Sequence, residues 1–376
     1  MASRPAWAEV DLGAIRDNAA LLVRTVAPAR LCAVIKASGY GHGAVAVARA
    51  ALEGGASWLA VALVEEGAVL RAHGIDAPVL LLSEPPGEAM DDVVALGLTP
   101  TIYTRRGLGA AAKAVASAGA LQPLPVHVKV DTGMHRVGVG VDDALSMVRS
   151  VGQHPELRLG GFWTHFAVAD EPGDPFTALQ CDRFGAAVEE LTSLGLRPAL
   201  VHAANSAGAL AHPRSRYDLV RCGISLYGVA PSPALASVTP LPSLRVALSL
   251  RARVSFVKRV AGGEAVSYGL RRPLSRRSTV ATVPVGYADG VPWRLGASGG
   301  EVLIGGRRRP LAGAVTMDQI LVDCGDDSGV RPGDEVVLLG RQGTEQVTAW
   351  DWASLTGTIA YEILCGISPR VPRVYV

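Results

Sequence analysis

The chain has 376 residues, 49% hydrophobic and 19% charged, with a formal net charge of +2. This composition supports a sizeable core and excludes a disordered chain, and the length fits two domains or one large barrel with an appendage. The near-neutral charge removes the electrostatic case for nucleic acid or an acidic membrane as partner.

Asp11 can cap a first helix in which Leu12, Ile15, Ala19, Leu22 and Val26 share one face, ending near Pro28. Short β-rich runs then recur at 31–36, 58–63, 79–83, 99–103, 125–131, 159–165, 200–204 and 218–222. Alanine-rich helical segments separate most of them, for example 43–53 and 176–194. The gap after Asn205 has room for only a short helix. Strands alternating with helices, and apolar on both faces, predict an α/β fold with a (β/α)8 TIM-type barrel over 1–235. An open doubly wound sheet is the other reading, but no G-x-G-x-x-G follows the first strand.

The texture changes near Pro231. The stretch 231–244 is rich in proline and serine and reads as a linker. Beyond it, Leu248, Leu250, Ala252, Val254 and Phe256 alternate with polar residues, as in a half-buried antiparallel strand. Strand-like runs follow at 279–285, 301–305, 319–324 and 335–340, with a short helical piece near 359–363. Residues 236–376 are therefore expected to form a mainly-β domain, a small barrel. The basic runs Arg276-Arg277 and 307–309 read as solvated turns. Five scattered cysteines (Cys32, Cys181, Cys222, Cys324, Cys365) have no C-x-x-C spacing and fit reduced thiols, with no metal site. The N-terminus has no signal-type apolar stretch, and no run is long enough to span a bilayer. A cytoplasmic protein is expected.

Chemistry in such a barrel collects at the C-terminal ends of the strands. Those ends offer Lys36, Arg136, His165, Asn205-Ser206 and Arg221. Lys36 closes the apolar run 31–35 and precedes a glycine-rich turn. Desolvation there would leave more of it as free amine, suited to a Schiff base. A lysine whose stem packs while its head reaches water is an equal reading of that stretch alone. Singly, His165 could be a core histidine, Arg221 half of an ion pair, and Ser206 a helix cap. Together they offer a nucleophilic amine and cations for an anionic ligand, and pyridoxal phosphate (PLP) calls for that set.

The blocks AVIKASGYGHG (33–43), KVDTGMHRVG (129–138), FWTHFA (162–167), HAANSAGAL (202–210), VRCGISLYG (220–228), VSYG (266–269), VPVGYADG (283–290) and VTMDQ (315–319) run through nearly the whole chain. In kind and order they resemble the alanine racemases, PLP enzymes that join a barrel to a β domain. The resemblance implies that Lys36 holds the cofactor and is the D-face base. Tyr268 would be the L-face base, supplied by the β domain of a partner subunit in a homodimer with shared active sites. Arg136 and Met317 would hold the substrate carboxylate, and Lys129 matches a lysine that is carbamylated in many members. Arg221 would face the pyridine nitrogen beside His165. Tyr40, Asn205, Ser206, Gly223, Ile224 and Tyr361 complete the implied cofactor set. The implied activity is interconversion of L- and D-alanine, making D-alanine for peptidoglycan.

Three departures stand out. Ser38-Gly39 replace a more usual Asn or Asp and Ala, His135 stands where a small residue is common, and Thr316 replaces a frequent cysteine. Alternatives are a racemase of other or broader range (serine, for example), a PLP decarboxylase of the same fold, and a barrel-only PLP carrier. The carrier would leave 245–376 without a place.

Overall fold

The structure, a computed structural model, describes residues 4–238 and 240–376. Its contacts divide the chain into two units. One holds 13–39 and 44–245; the other holds 246–376, 40–43 and the described residues up to Leu12. The sequence reading drew one boundary at 235/236, whereas the chain passes between units four times, at 12/13, 39/40, 43/44 and 245/246.

After β1 (Ala6–Val10), which belongs to the β unit, the barrel unit opens with β2 (Arg30–Val34), β3 (Trp58–Val61) and β4 (Val79–Leu81). It continues with β5 (Thr101–Ile102), β6 (Leu124–Asp131), the two-residue β7 (Val139–Gly140), β8 (Leu157–Trp163), β9 (Leu200–His202) and β10 (Leu219–Cys222). Two parallel ladders, β10-β2-β3-β4 and β5-β6-β8-β9, form the wall. A Leu80–Thr99 bridge joins them on one side. On the other, Asp218 N donates to Val201 O (3.0 Å) and Arg221 N to Ala204 O (3.0 Å). The eight long-expected strands thus close into the (β/α)8 barrel. Residues such as Leu31, Leu59, Val79, Val128 and Val220 are buried, which is why these runs are apolar without alternation.

The helix Leu12–Val26 buries Ala14, Ile15, Ala19, Leu22 and Val26 along one stripe. Asn18 is buried on it too. Its side chain donates to Leu226 O (3.0 Å) and Arg245 O (2.8 Å) and accepts from Arg245 N (2.8 Å). That clamp holds the stretch read as a linker against the barrel, where Leu235 and Leu241 are also buried.

The β unit adds β11 (Leu248–Arg253), β12 (Phe256–Val260), β13 (Ser278–Val283), β14 (Glu301–Ile304), β15 (Arg307–Pro310), β16 (Ile320–Asp323), β17 (Glu335–Gln342), β18 (Glu345–Val347) and β19 (Arg373–Tyr375). In place of the expected small barrel there are two sheets. One has the order β15-β14-β17-β11-β1-β19 with β18 on β17; the other is β12-β13-β16. The basic run 307–309 is a strand and not a solvated turn. It pairs with β14, and Arg308 meets Glu301 (3.0 Å) and Glu345 (3.1 Å). An unexpected helix, Ala349–Thr356, starts at Thr348, whose hydroxyl accepts from Asp351 N (3.0 Å). The helix expected near 359–363 is Ala360–Cys365.

Candidate active site

β2 delivers Lys36 to the barrel rim and the chain turns at once. Ala37, Ser38, Gly39 and Tyr40 all have positive φ, between 51° and 62°. Left-handed backbone costs an L-residue roughly 1–2 kcal/mol, so four in a row need support. The Glu66 carboxylate supplies it, accepting from Ala37 N (2.5 Å) and Ala62 N (2.8 Å), while Gly39 N donates to Ile35 O (2.8 Å). Gly39 is the one residue of the four that takes this conformation without steric cost. Its presence, noted as a departure, suits the turn after Lys36.

Lys129 is buried on β6, with Nζ 4.5 Å from the Trp163 ring centroid. The Arg221 guanidinium lies 4.5 Å from the same centroid. Burial first, then the charges of Arg136 and Arg221, lower Lys129 to about 7. Arg136 is carried by the loop after β6, which Asp131 shapes by accepting from Gly133 N (2.9 Å) and His135 N (3.1 Å). His135 has φ 54°, a left-handed backbone that few side chains other than Asn, Asp and His adopt.

Arg221 is buried at the end of β10 and bonded only to neutral acceptors. Its amino groups donate to His202 Nδ1 (2.7 Å), Thr164 O (2.9 Å), Ala203 O (2.8 Å) and His165 Nδ1 (3.2 Å). A guanidinium can only donate, so both imidazole nitrogens accept. His202 therefore carries its proton on Nε2 and donates to His127 Nδ1 (3.0 Å). Burial, then the charge of Arg221, holds His165 and His202 well below the usual histidine range and His127 at about 3. The flanking thiols of Cys32 and Cys222 are pushed up to about 12, chiefly by burial, and stay neutral. Burial lowers Arg221 itself to about 10, so it remains charged near neutrality. The rim thus gathers Lys36, Lys129, Arg136 and Arg221 within mutual electrostatic reach, and Asp131 is the acidic group among the causes acting on Lys129. Such an arrangement calls for an anion.

Asn205 and Ser206 stand at the start of the short helix that follows β9. Asn205 Oδ1 caps the short helix Ser206–Ala211 by accepting from Gly208 N (2.9 Å). Ser206 Oγ accepts from Gly223 N (2.9 Å) and Ser225 N (3.4 Å). Ile224 is buried between those two amides, and Ser225 Oγ is a buried hydroxyl without a partner among the described residues. Sequence reasoning passed over His127, His202 and Trp163. The period-2 alternation of His127, Lys129 and Asp131 along β6 was the available signal.

In the β unit, Tyr268 is 77% exposed and Met317 52% exposed. Tyr40 and Tyr361 pack with ring centroids 6.2 Å apart. Thr316 closes the turn that carries Met317: its hydroxyl donates to Gln319 O (2.8 Å) and accepts from Gln319 N (3.1 Å). A cysteine thiol would make the same bonds more weakly.

A barrel unit with a strand-end amine among further cations, and a β unit bearing an exposed tyrosine, define a two-domain protein of barrel and β type. The chain belongs to the alanine racemase family. The family's N-terminal domain matches residues 10–231 and its C-terminal domain residues 247–375. The chain is 49% identical over 375 residues to the alanine racemase of Symbiobacterium thermophilum, covering 99% of this chain and 97% of that one. It is 43% identical over 376 residues to that of Thermobifida fusca, covering 98% of each. Its structure is similar to the alanine racemase of D-cycloserine-producing Streptomyces lavendulae (TM-score 0.94, 39% identity, 100% of this chain and 98% of that one). It also resembles the Bacillus anthracis enzyme with bound L-Ala-P (TM-score 0.90, 36% identity, 99% and 95%). The chain is an amino-acid racemase of the alanine racemase type.

Proposed function

We propose that this protein interconverts L- and D-alanine with pyridoxal phosphate. The observation that carries the reading is Arg221, a buried cation bonded only to neutral acceptors, on a rim that also holds Lys36, Lys129 and Arg136. The residues present fit the cofactor. Ser225 Oγ, a buried hydroxyl without a partner among the described residues, lies beside Ser206 and the Gly223 amide, and a phosphate would give it a partner. Asn205, Ser206, Gly223 and Ile224 would hold that end, with Tyr40 and Tyr361 proposed as further phosphate anchors. Bound there, PLP supplies a conjugated ring that takes up the electron pair left when the α-proton departs.

The chain's own groups do the rest. Lys36 Nζ would hold the cofactor, and its amine would exchange a proton on the D-face. Tyr268 Oη, from the partner of a homodimer, exchanges one on the L-face. Two bases on opposite sides are what inversion at one carbon requires. Arg136 and the Met317 backbone orient the substrate carboxylate, and His165 packs beside Arg221. Arg221, charged near neutrality, would donate to an unprotonated pyridine nitrogen, which would favour proton exchange over transamination. Among the described residues no helix is long and apolar enough to cross a membrane. A cytoplasmic enzyme making D-alanine for peptidoglycan is the proposed setting.

The test is to incubate protein and PLP with L-alanine and, separately, L-serine, and measure the D-enantiomer. D-alanine well ahead of D-serine is expected. D-serine ahead would keep the mechanism and overturn the substrate. Neither product would overturn both.

A further inference from the structure

The backbone just before Tyr268 is held in a place that side chains avoid. Val266 is anchored in a small core with Val260, Leu274, Val280 and Ala312. The next residue, Ser267, has φ 67° and ψ −174°, a region that is essentially glycine's. Gly269 (φ 76°) and Leu270 (φ 43°) continue the distortion on the other side of Tyr268. Such a backbone persists only where its surroundings over-determine it.

Two contacts do so here. Ser267 Oγ donates to Ala314 O at 2.7 Å. Gly313, itself at φ 74°, lies so close that an added Cβ would stand 2.3 Å from Val266 O and 2.9 Å from Ser267 Cβ. The loop bearing Tyr268 is therefore laid on 313–314, three residues before Met317. The turn that carries Met317 is itself closed by Thr316 and Gln319. The short segment 313–315 thus links the phenol's loop to that turn.

We propose that Ser267 is a positioning residue: its hydroxyl, clamped to Ala314, locks a strained backbone that aims the Tyr268 phenol and keeps it in register with the Met317 turn. This deepens the reading of Tyr268 as the L-face base and rests on it. A general base works only within hydrogen-bond reach of the proton it takes, and small misplacements cost rate steeply. Within its own chain Tyr268 is exposed, so the backbone that precedes it sets the direction in which the phenol leaves the β unit. Alanine at 267 removes the clamp and leaves the strain. Glycine removes both, freeing the loop while remaining sterically at ease.

The experiment follows loss of the α-hydrogen of L-alanine and of D-alanine into D2O, using holoenzyme and the variants Ser267→Ala, Ser267→Gly and Tyr268→Phe. If the proposal holds, both Ser267 variants lose about tenfold or more of L-face exchange, keep D-face exchange within about twofold, and load cofactor normally. Selective loss in Tyr268→Phe, with Ser267 variants that are unaffected or equally slowed on both faces, overturns the positioning role alone. Equal loss on both faces in Tyr268→Phe overturns the base assignment and the proposal with it. Ser267→Gly, which the observed backbone accommodates, carries the test if Ser267→Ala does not fold.

Discussion

Lys129 shows how far a single side chain can be read. Its surroundings oppose an ammonium: burial comes first, Arg136, Arg221 and Lys36 add repulsion, and Asp131 alone favours the charge. With its pKa lowered to about 7, most of the side chain is free amine at pH 8. Its lone pair can then add to carbon dioxide, releasing a proton and leaving a carbamate. That modification would place an anion beside Arg136, among cations. A carbamate resonance is therefore expected with 13C-bicarbonate at pH 8, falling about tenfold in free-amine-limited yield at pH 6. The signal should vanish in Lys129→Arg; a signal that survives there, or ignores pH, refutes the assignment. At this scale the sequence was legible wherever a residue closed a strand. Lys36, Arg136, His165 and Arg221 were singled out because barrel topology aims strand ends at one rim. His127 and His202 were not, because they serve through Arg221, and hydrogen bonds across strands leave no local pattern.

At the scale of elements, the β unit's loops interlock through backbone. Tyr287 N donates to Thr316 O (2.9 Å) and Ala288 N to Met317 O (3.1 Å). Buried Asp289 fixes the first loop, accepting from Gly286 N (2.9 Å) and from both amino groups of Arg4 (3.0 and 2.7 Å). Gly286 has φ −139°, which any residue adopts, so only space dictates glycine there. A Cβ would stand 2.3 Å from the carbonyl oxygens of Thr316 and Met317. Gly286→Ala should push the Met317 turn outward, at a stability cost of about 1–3 kcal/mol. If Met317 grips the substrate carboxylate in ground and transition states alike, KM for alanine rises several-fold while kcat holds. A folded variant with wild-type KM would remove Met317 from substrate binding. Elements themselves were legible where their own burial made a pattern, as in β2 or the helix Leu12–Val26. β1 and β19 were missed because partners distant in sequence make them strands. Arg307–Pro310 was missed for another reason: its side chains read as solvent-facing, and only the hairpin with β14 and Arg308's contacts to Glu301 and Glu345 reveal a strand.

For the whole molecule, the decisive feature is where the two proposed bases lie. Lys36 belongs to the barrel unit, and Tyr268 belongs to the β unit. Tyr268, Leu270, Trp293 and Met317 are exposed in that unit at 77%, 65%, 55% and 52%. Large apolar groups left in water are a feature of surfaces that meet another chain. A homodimer in which each β unit completes its neighbour's site would cover them and bring Tyr268 opposite the partner's amine. The consequence is genetic as much as structural. Lys36→Ala and Tyr268→Ala homodimers would each carry two defective sites, but a hybrid dimer would carry one site with both lesions and one with neither. Mixing the two inactive proteins should therefore restore activity, approaching a quarter of the wild-type value at equal concentrations with random exchange, since about half of the dimers are hybrids with one intact site each. The recovered activity should rise with the time allowed for subunit exchange and should be absent from either variant alone. If labelled subunits are seen to exchange and no activity returns, both bases come from one chain, and the exposed face of the β unit serves another purpose.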